Sequence, residues 1–510
     1  MNSAHRLPAV LAAGAAIALV LSACSSAVTG GGSGDDGERD TLRIGLSGGV
    51  NTLDPHNTAS VGSDLSVIGS IYSALVHRTA DGEMEPDAAE SWERIDALTW
   101  RFTLDPDVIF SNGDPLTAED VVWNFERVQD PDLALRLQSF FTNVVEVTAE
   151  DETTVTIRTE QPDADLLQGL SFFYLLDPAW AEEHDPAAEA MGSGPYELTD
   201  YTPKGALTLE ARDDHWSDPA EIQTVEYADL GGSEAEVNAL QTGEIDLVSG
   251  LAPKDIERFD GNDDVTLEPI ASSRAAFVKL NTTLAPVDDV RVRQALNYAV
   301  DKQAIIDSIL RGTVEPSNGQ ILTDNFTGYD PELTAYEYDP EKARELLAEA
   351  GYADGFTIAL EYPTDTYVES DAIVQAVAAQ LAEVGVTVEA STAPFDVWLS
   401  KYVQEGDMAQ SIYITQSWQT TSGFLGLFEQ SSPYAYWNDD TYTELLDTAR
   451  FAETAEEQDA AYAETLAHFR EQAPVLFLFP QPAIYGHDAA LEWTPSADGW
   501  ILPYDMAFTG

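Results

Sequence analysis

Residues 272–300, SSRAAFVKLNTTLAPVDDVRVRQALNYAV, constrain the fold more tightly than any other stretch of the chain. Residues 275–280 form an apolar run of strand length, closed by Asn281-Thr282-Thr283. A turn carrying Pro286 follows, and Asp288 and Asp289 supply carboxylates suited to a helix N-terminus. Val292, Ala295, Leu296, Ala299 and Val300 then recur at helical spacing. A buried strand feeding an amphipathic helix is the unit of an α/β protein, and the pattern returns elsewhere. Strand 222–227, helix 233–241, Gly243 as its C-cap and strand 245–248 make one β-α-β unit. Strand 356–362, helix 370–384, a stop at Gly385 and strand 386–389 make another, predicting a right-handed crossover in a largely parallel sheet. A long helix over about 454–472 leads into 474–480, read as a buried strand bounded by Pro474 and Pro480.

With 510 residues the chain has room for two or three domains. Its 90 Asp+Glu against 24 Lys+Arg give a net charge of −66, which repels phosphate backbones and excludes nucleic-acid binding. The acids are spread along the chain, as a solvated acidic surface requires. The single cysteine, Cys24, excludes an intramolecular disulfide and cysteine catalysis. The seven histidines are scattered with no metal-ligand spacing, so no metal and no cofactor is expected. Gly45, Ser47 and Gly49 match the nucleophile-elbow pattern G-x-S-x-G. Asn51-Thr52-Leu53-Asp54-Pro55 is turn chemistry, whereas the elbow needs a helix there. No catalytic residue is assigned, and an extracellular hydrolase is only a remote alternative.

The N-terminus has signal-peptide form: Arg6, an apolar region over 7–21, then Leu21-Ser22-Ala23-Cys24. These four residues resemble the lipobox of bacterial lipoproteins, in which the cysteine is lipidated. Residues 1–23 are therefore expected to be removed, giving a mature charge of −67, that is −66 less the +1 of Arg6. Residues 24–40 read as a Gly/Ser/Asp tether with nothing to bury.

Between 85 and 128 the order Ala89-Glu90-Ser91-Trp92-Glu93, Thr99-Trp100-Arg101-Phe102-Thr103-Leu104 and Asn112-Gly113-Asp114-Pro115-Leu116-Thr117-Ala118-Glu119-Asp120-Val121 carries many matches to one family. The chain resembles the solute-binding proteins of the peptide/nickel class, family 5, that serve ABC importers. Met191-Gly192-Ser193-Gly194-Pro195-Tyr196 and the helix opening at Tyr338-Asp339-Pro340-Glu341-Lys342-Ala343-Arg344, stopped by Gly351, resemble the family too. The resemblance implies an α/β, two-lobed periplasmic-binding-protein type II-like fold with an extra subdomain in a discontinuous first lobe. It places the first lobe at 41–275, with an inserted subdomain at about 80–185, the second lobe at 276–478, and a return to the first over 479–510. The implied protein is a monomeric, lipid-anchored receptor on the outer face of the bacterial cell membrane. It would capture a peptide or similar small solute and deliver it to ABC permease subunits; a sugar, opine or metal chelate is the alternative ligand.

In the family the ligand lies between the lobes, which makes 272–300 the hinge. The candidate contacts are Ser47, Gly48 and Gly49 at the cleft edge, the aromatics Phe173 and Tyr174, Phe277 and Asn281 within the hinge stretch, and Tyr362 and Tyr367. The loop Trp418, Gln419, Thr420 and Thr421 completes the set, because it follows a buried strand and ligands gather beyond strand carboxyl ends. Family peptide binders tend to set an aspartate for the peptide amine where this chain has Thr421. The dipeptide binders' arginine would fall near Thr364–Tyr367 and the nickel binders' near Phe172–Tyr174, and neither place holds one.

Lipidation at Cys24 predicts that a Cys24→Ala chain is shed from the membrane fraction, because two acyl chains give stable attachment and no later segment is apolar enough to replace them. Fractionation of cells expressing both forms reads this; retention of the variant would place the anchor elsewhere.

Overall fold

The computed structural model describes residues 39–46, 48–58, 62–80, 82–217 and 219–509, so Cys24, the leader, the tether up to Glu38 and Ser47 lie outside the described residues. Ten strands form one mixed sheet. From one edge the order is Val386–Ala393, Phe356–Pro363, Ser411–Gln416, Val265–Leu280, Val475–Asp488, Leu247–Val248, Thr41–Leu46, Thr224–Asp229, Leu207–Ala211 and Tyr196–Tyr201. The expected largely parallel sheet is not what forms. Parallel pairing is confined to Thr41–Leu46 with its two neighbours and to Phe356–Pro363 with its two. The remaining neighbours pair antiparallel, because the chain crosses the centre of the sheet once outward and once back.

That centre is the pair Val265–Leu280 and Val475–Asp488, hydrogen-bonded along most of their length. One half of each belongs to each half of the sheet. Ala275–Leu280 also pairs with Ser411–Gln416, while Gly486 and His487 pair with Leu247 and Val248. The register breaks between Ala271 and Ala275, where Ser272, Ser273 and Arg274 loop out of the ladder. The strand expected to stop at Pro480 runs on to Asp488. Pro480 and Pro482 sit at the break itself, opposite Ala275 and Ala271, where the ladder needs no proline N–H.

The apolar run at 275–280 is buried on both faces. Ala276, Val278 and Leu280 enter one core with helices Val290–Tyr298 and Ser370–Glu383, while Ala275 and Phe277 enter another with Phe424, Phe469 and Phe477. This is the period of two of a strand between helical layers. Lys279 shares that burial: its ammonium donates to the Leu427 carbonyl at 3.3 Å and lies 4.0 Å above the Phe428 ring, and burial pushes its pKa down to about 7.

The local signals also hold. Asp289 and Asp339 cap Val290–Tyr298 and Pro340–Glu349, and Gly243 and Gly351 take positive φ after their helices. Asp120 accepts from the Thr117 backbone N–H at 2.8 Å at the start of Ala118–Gln129. That helix packs on a separate four-stranded antiparallel sheet, Ala89–Asp96, Thr99–Leu104, Thr154–Thr159 and Val144–Ala149, with its own apolar core around Phe102, Phe125 and Phe141. Gly192 and Gly194 let the 191–196 turn lie against the Ile71 backbone; a Cβ on either would fall under 3.0 Å from it.

Asn297, wholly buried, ties helix to crossover strand: its amide donates to the Val475 carbonyl at 2.9 Å and its oxygen accepts the Phe477 N–H at 3.0 Å. Asn297→Ala orphans both backbone groups at about 1–3 kcal/mol each. Urea unfolding is expected to show a loss of that size with an unchanged m-value.

Candidate functional site

Three cavities meet at Trp418, the residue that follows strand Ser411–Gln416 by two positions. One of 370 Å³ lies against Leu65, Arg136, Phe140, Phe172, Arg274 and Gln419. A second, of 450 Å³, extends along Arg274, Tyr367, Trp398, Tyr402, Gln416 and Tyr434. A third, of 600 Å³, opens on the other side toward Asn143, Asp163, Asp165, Thr420, Glu429 and Arg450. The first and third cavities lie between segments 136–143 and 160–172 of the small antiparallel domain and the stretch 417–429, whereas the second is walled by Tyr367, Trp398, Tyr402, Tyr434 and the end of strand Ser411–Gln416. The register break of the crossover strands, carrying Arg274, forms the back of the first two.

Local packing fixes the Trp418 indole. Thr420 caps helix Thr421–Gly426, its hydroxyl oxygen accepting the Gly423 N–H at 3.2 Å. A Cβ at Gly423 would collide with the indole, so glycine there lets Trp418 lie against the helix start. Across the cleft Phe140 faces it, ring centroids 6.1 Å apart. Phe140 is itself edge-on to Phe172 at 5.2 Å.

The segment bearing Phe172 is held from behind. Arg127 pairs with Asp54 at 2.8 Å and donates to His56 Nδ1 at 2.8 Å, so the His56 proton sits on Nε2 and is donated to the Tyr174 carbonyl at 2.9 Å. Complete burial, with Arg127 adding to it, pushes the His56 pKa down to about 4.

The two walls touch through Asp165. Its carboxylate accepts the Ser422 N–H at 2.9 Å, and the Gln458 amide and Tyr462 hydroxyl donate to it at 3.3 Å each. Nearer the register break, Arg78 pairs with Asp498 and donates to the Asn325 carbonyl.

Tyr367, Trp418, Gln419 and Thr420 of the candidate residues line these cavities. Others stand elsewhere. Phe173 is wholly buried, stacked 4.3 Å from Phe125, since the neighbouring Phe172 takes the outward position. Tyr174 lies in the core, its hydroxyl against Gly69. Thr421 is also wholly buried and donates to the Thr327 carbonyl at 2.8 Å, because the helix begins at that residue and turns it inward. Asn281 closes its strand, donating to the Met408 carbonyl at 3.0 Å, and Tyr362 is buried in the core beside helix Ser370–Glu383. Phe277 lines a separate 360 Å³ cavity with 313–324. Gly48 and Gly49 take positive φ but lie on none of these walls. Among the described residues 48–58 no helix follows the G-x-S-x-G strand, so the elbow's strand-to-helix turn is not found there. Among the described residues no His/Cys/Asp/Glu group is arranged to hold a metal, and no helix is long and apolar enough to cross a membrane.

Residues the sequence does not single out are Arg136, Phe140 and Arg274, while Phe172 is the member of the aromatic run 172–174, open in the sequence to either core or cleft, that reaches the cavity. For Arg274 a signal existed: it is a lone cation in a run of small residues at the crossover.

Residues 83–436 match the model of the bacterial extracellular solute-binding proteins, family 5, and the chain belongs to that family. Heme-binding protein A of Haemophilus influenzae is 27% identical over 453 residues, covering 79% of this chain and 80% of that protein. The dipeptide-binding protein of Escherichia coli is 27% identical over 450 residues, covering 80% and 83%. An ABC transporter substrate-binding protein of Listeria monocytogenes superposes with a TM-score of 0.84 at 21% identity, over 93% of this chain and 100% of that one. The fold is that of the two-lobed binding proteins.

The His56 network predicts a pH dependence. A group whose folded pKa lies below its unfolded value of about 6.5 lets the unfolded chain take up the proton first, so stability falls as pH drops from about 6.5 to about 4. Relative to a His56→Asn chain, the wild type should lose about 3 kcal/mol across that window, read by denaturant unfolding at each pH. A constant difference would remove the buried imidazole as its cause.

Proposed function

We propose that this protein is the lipid-anchored substrate-binding receptor of an ABC importer, holding a small solute between its lobes and presenting the closed form to the permease. One observation carries the reading: three aromatic-lined cavities converge on Trp418, two of them between facing walls whose halves of the sheet are joined by the strand pair Val265–Leu280 and Val475–Asp488. The first lobe would comprise 41–275, with a subdomain at about 80–185, and 479–510; the second would comprise 276–478, pivoting at the Ala271–Ala275 break. Lipid attachment at Cys24 would keep a monomer at the outer face of the membrane, within reach of its permease. Names of relatives support capture of a solute without chemical conversion, since they include heme-, glutathione- and dipeptide-binding proteins. Trp418 stacks on the ligand, while Gln419 and Thr420 offer neutral hydrogen bonds to it.

A thermal-shift screen across peptides, opines, sugars and metal chelates tests this. A captured solute at a hundredfold its Kd should add about 2.7 kcal/mol of stability and leave chemically unchanged. Trp418→Ala should weaken its binding tenfold or more while the free protein melts as before. Turnover of the solute would identify a hydrolase instead, and unchanged affinity would take Trp418 out of the site.

A further inference from the structure

The two cavities that share Arg274 and Trp418 have no Asp or Glu on their walls among the described residues, in a chain where 90 of 510 residues are acidic. They do have two guanidinium groups. Most arginines here meet a carboxylate, as Arg43 meets Asp246, Arg127 meets Asp54 and Arg450 meets both Glu429 and Asp447. Arg274 meets none among the described residues; its guanidinium makes one hydrogen bond, at 3.3 Å, to the Thr415 carbonyl. Burial disfavours its charge, lowering its pKa from the ordinary arginine value. Arg136, on the facing wall, has no ion-pair or side-chain hydrogen-bond partner among the described residues.

An unpaired cation half-withdrawn from water is costly unless something neutralises it. A chain with −66 of charge offers many carboxylates that could have done so, yet none of the described residues brings one to this wall. Acids line the third cavity instead, and three of them are engaged: Glu429 with Arg450 at 2.8 Å, Asp163 with Asn143 at 3.1 Å, and Asp165 with Ser422, Gln458 and Tyr462, while the fourth, Glu160, is exposed. Beside the guanidinium the walls are aromatic: Phe140, Phe172 and Trp418 in one cavity, Tyr367, Trp398 and Tyr402 in the other. Gln416, buried among them, has a side-chain oxygen without a partner among the described residues.

We infer that the cleft selects an anionic solute with a flat or apolar body, its carboxylate or equivalent anion held by Arg274 and assisted by Arg136, its body stacked on Trp418. A guanidinium binds a carboxylate through two parallel N–H donors, which gives both the charge match and the orientation. A free ammonium group on the ligand finds no counter-charge on these two walls. The inference rests on the receptor reading and narrows its ligand class.

The test uses the mature chain from residue 24, with Cys24→Ala to keep it unacylated, and two probes of nearly the same shape. Anilinonaphthalene sulfonate carries an anion; N-phenylnaphthylamine lacks it. Fluorescence titration is expected to show one saturable site for the sulfonate, with the neutral compound at least tenfold weaker. That order is the reverse of what the net charge alone would give. Arg274→Gln should weaken sulfonate binding about tenfold or more and leave the neutral probe unmoved; Arg274→Lys should restore part of the loss. If Arg274→Gln melts early, Arg274→Lys and Arg136→Gln give the reading in its place, each expected to weaken the sulfonate selectively. Equal binding of both probes, indifference to the arginine substitutions, or no saturable sulfonate site would overturn the inference. Tight capture of a neutral or cationic solute in the screen above would also overturn it while leaving the receptor reading intact. Failure of that reading shows itself differently, as turnover of the bound solute.

Discussion

Everything in this molecule hangs on the pairing of two long strands, Val265–Leu280 and Val475–Asp488. They alone carry the ladder from one half of the ten-stranded sheet to the other. Because each is buried among helices beyond the break, their outer segments cannot shift register without moving whole cores. The break at 272–274 is different. There the ladder is interrupted, two prolines replace donors, and Ser273 is tied to Asp498 rather than to a strand partner. Rigid segments on either side of a short irregular joint are what a hinge requires.

The joint also places the chemistry. Looping Ser272–Arg274 out of the ladder turns Arg274 toward the cleft, a few residues from strand Ser411–Gln416 and the Trp418 loop that follows it. The facing aromatic wall, Phe140 and Phe172, is fixed from a different core, through the buried Asp54–Arg127–His56 chain to the Tyr174 carbonyl. Two preorganised walls meeting across a joint would reduce what a ligand bound there must order. The Asp165 contacts to Ser422, Gln458 and Tyr462 show how the walls meet directly.

The sequence by itself determined the local elements. Helix limits followed from side-chain caps and glycine stops, as at Asp339, Thr117 and Gly243, since these act over one turn and need no tertiary partner. Strands buried on both faces announced themselves as apolar runs, 275–280 above all. The family was legible too, because the 85–128 motifs are long and specific.

What only the tertiary structure decided was direction. Phe172 and Phe173 are adjacent and chemically alike, yet one lines the cleft and the other fills a core. The choice is set by how a short helix, Leu166–Leu170, docks on the small domain. Thr421 reads as a polar loop residue and is turned inward by the helix that starts there. Pro480 reads as a strand terminator and instead sits where the ladder already lacks a bond. Arg274 reads as one cation among 24, and only the lack of a carboxylate partner among the described residues sets it apart. Burial and counter-charge belong to residues far apart in sequence, so no local pattern could carry them.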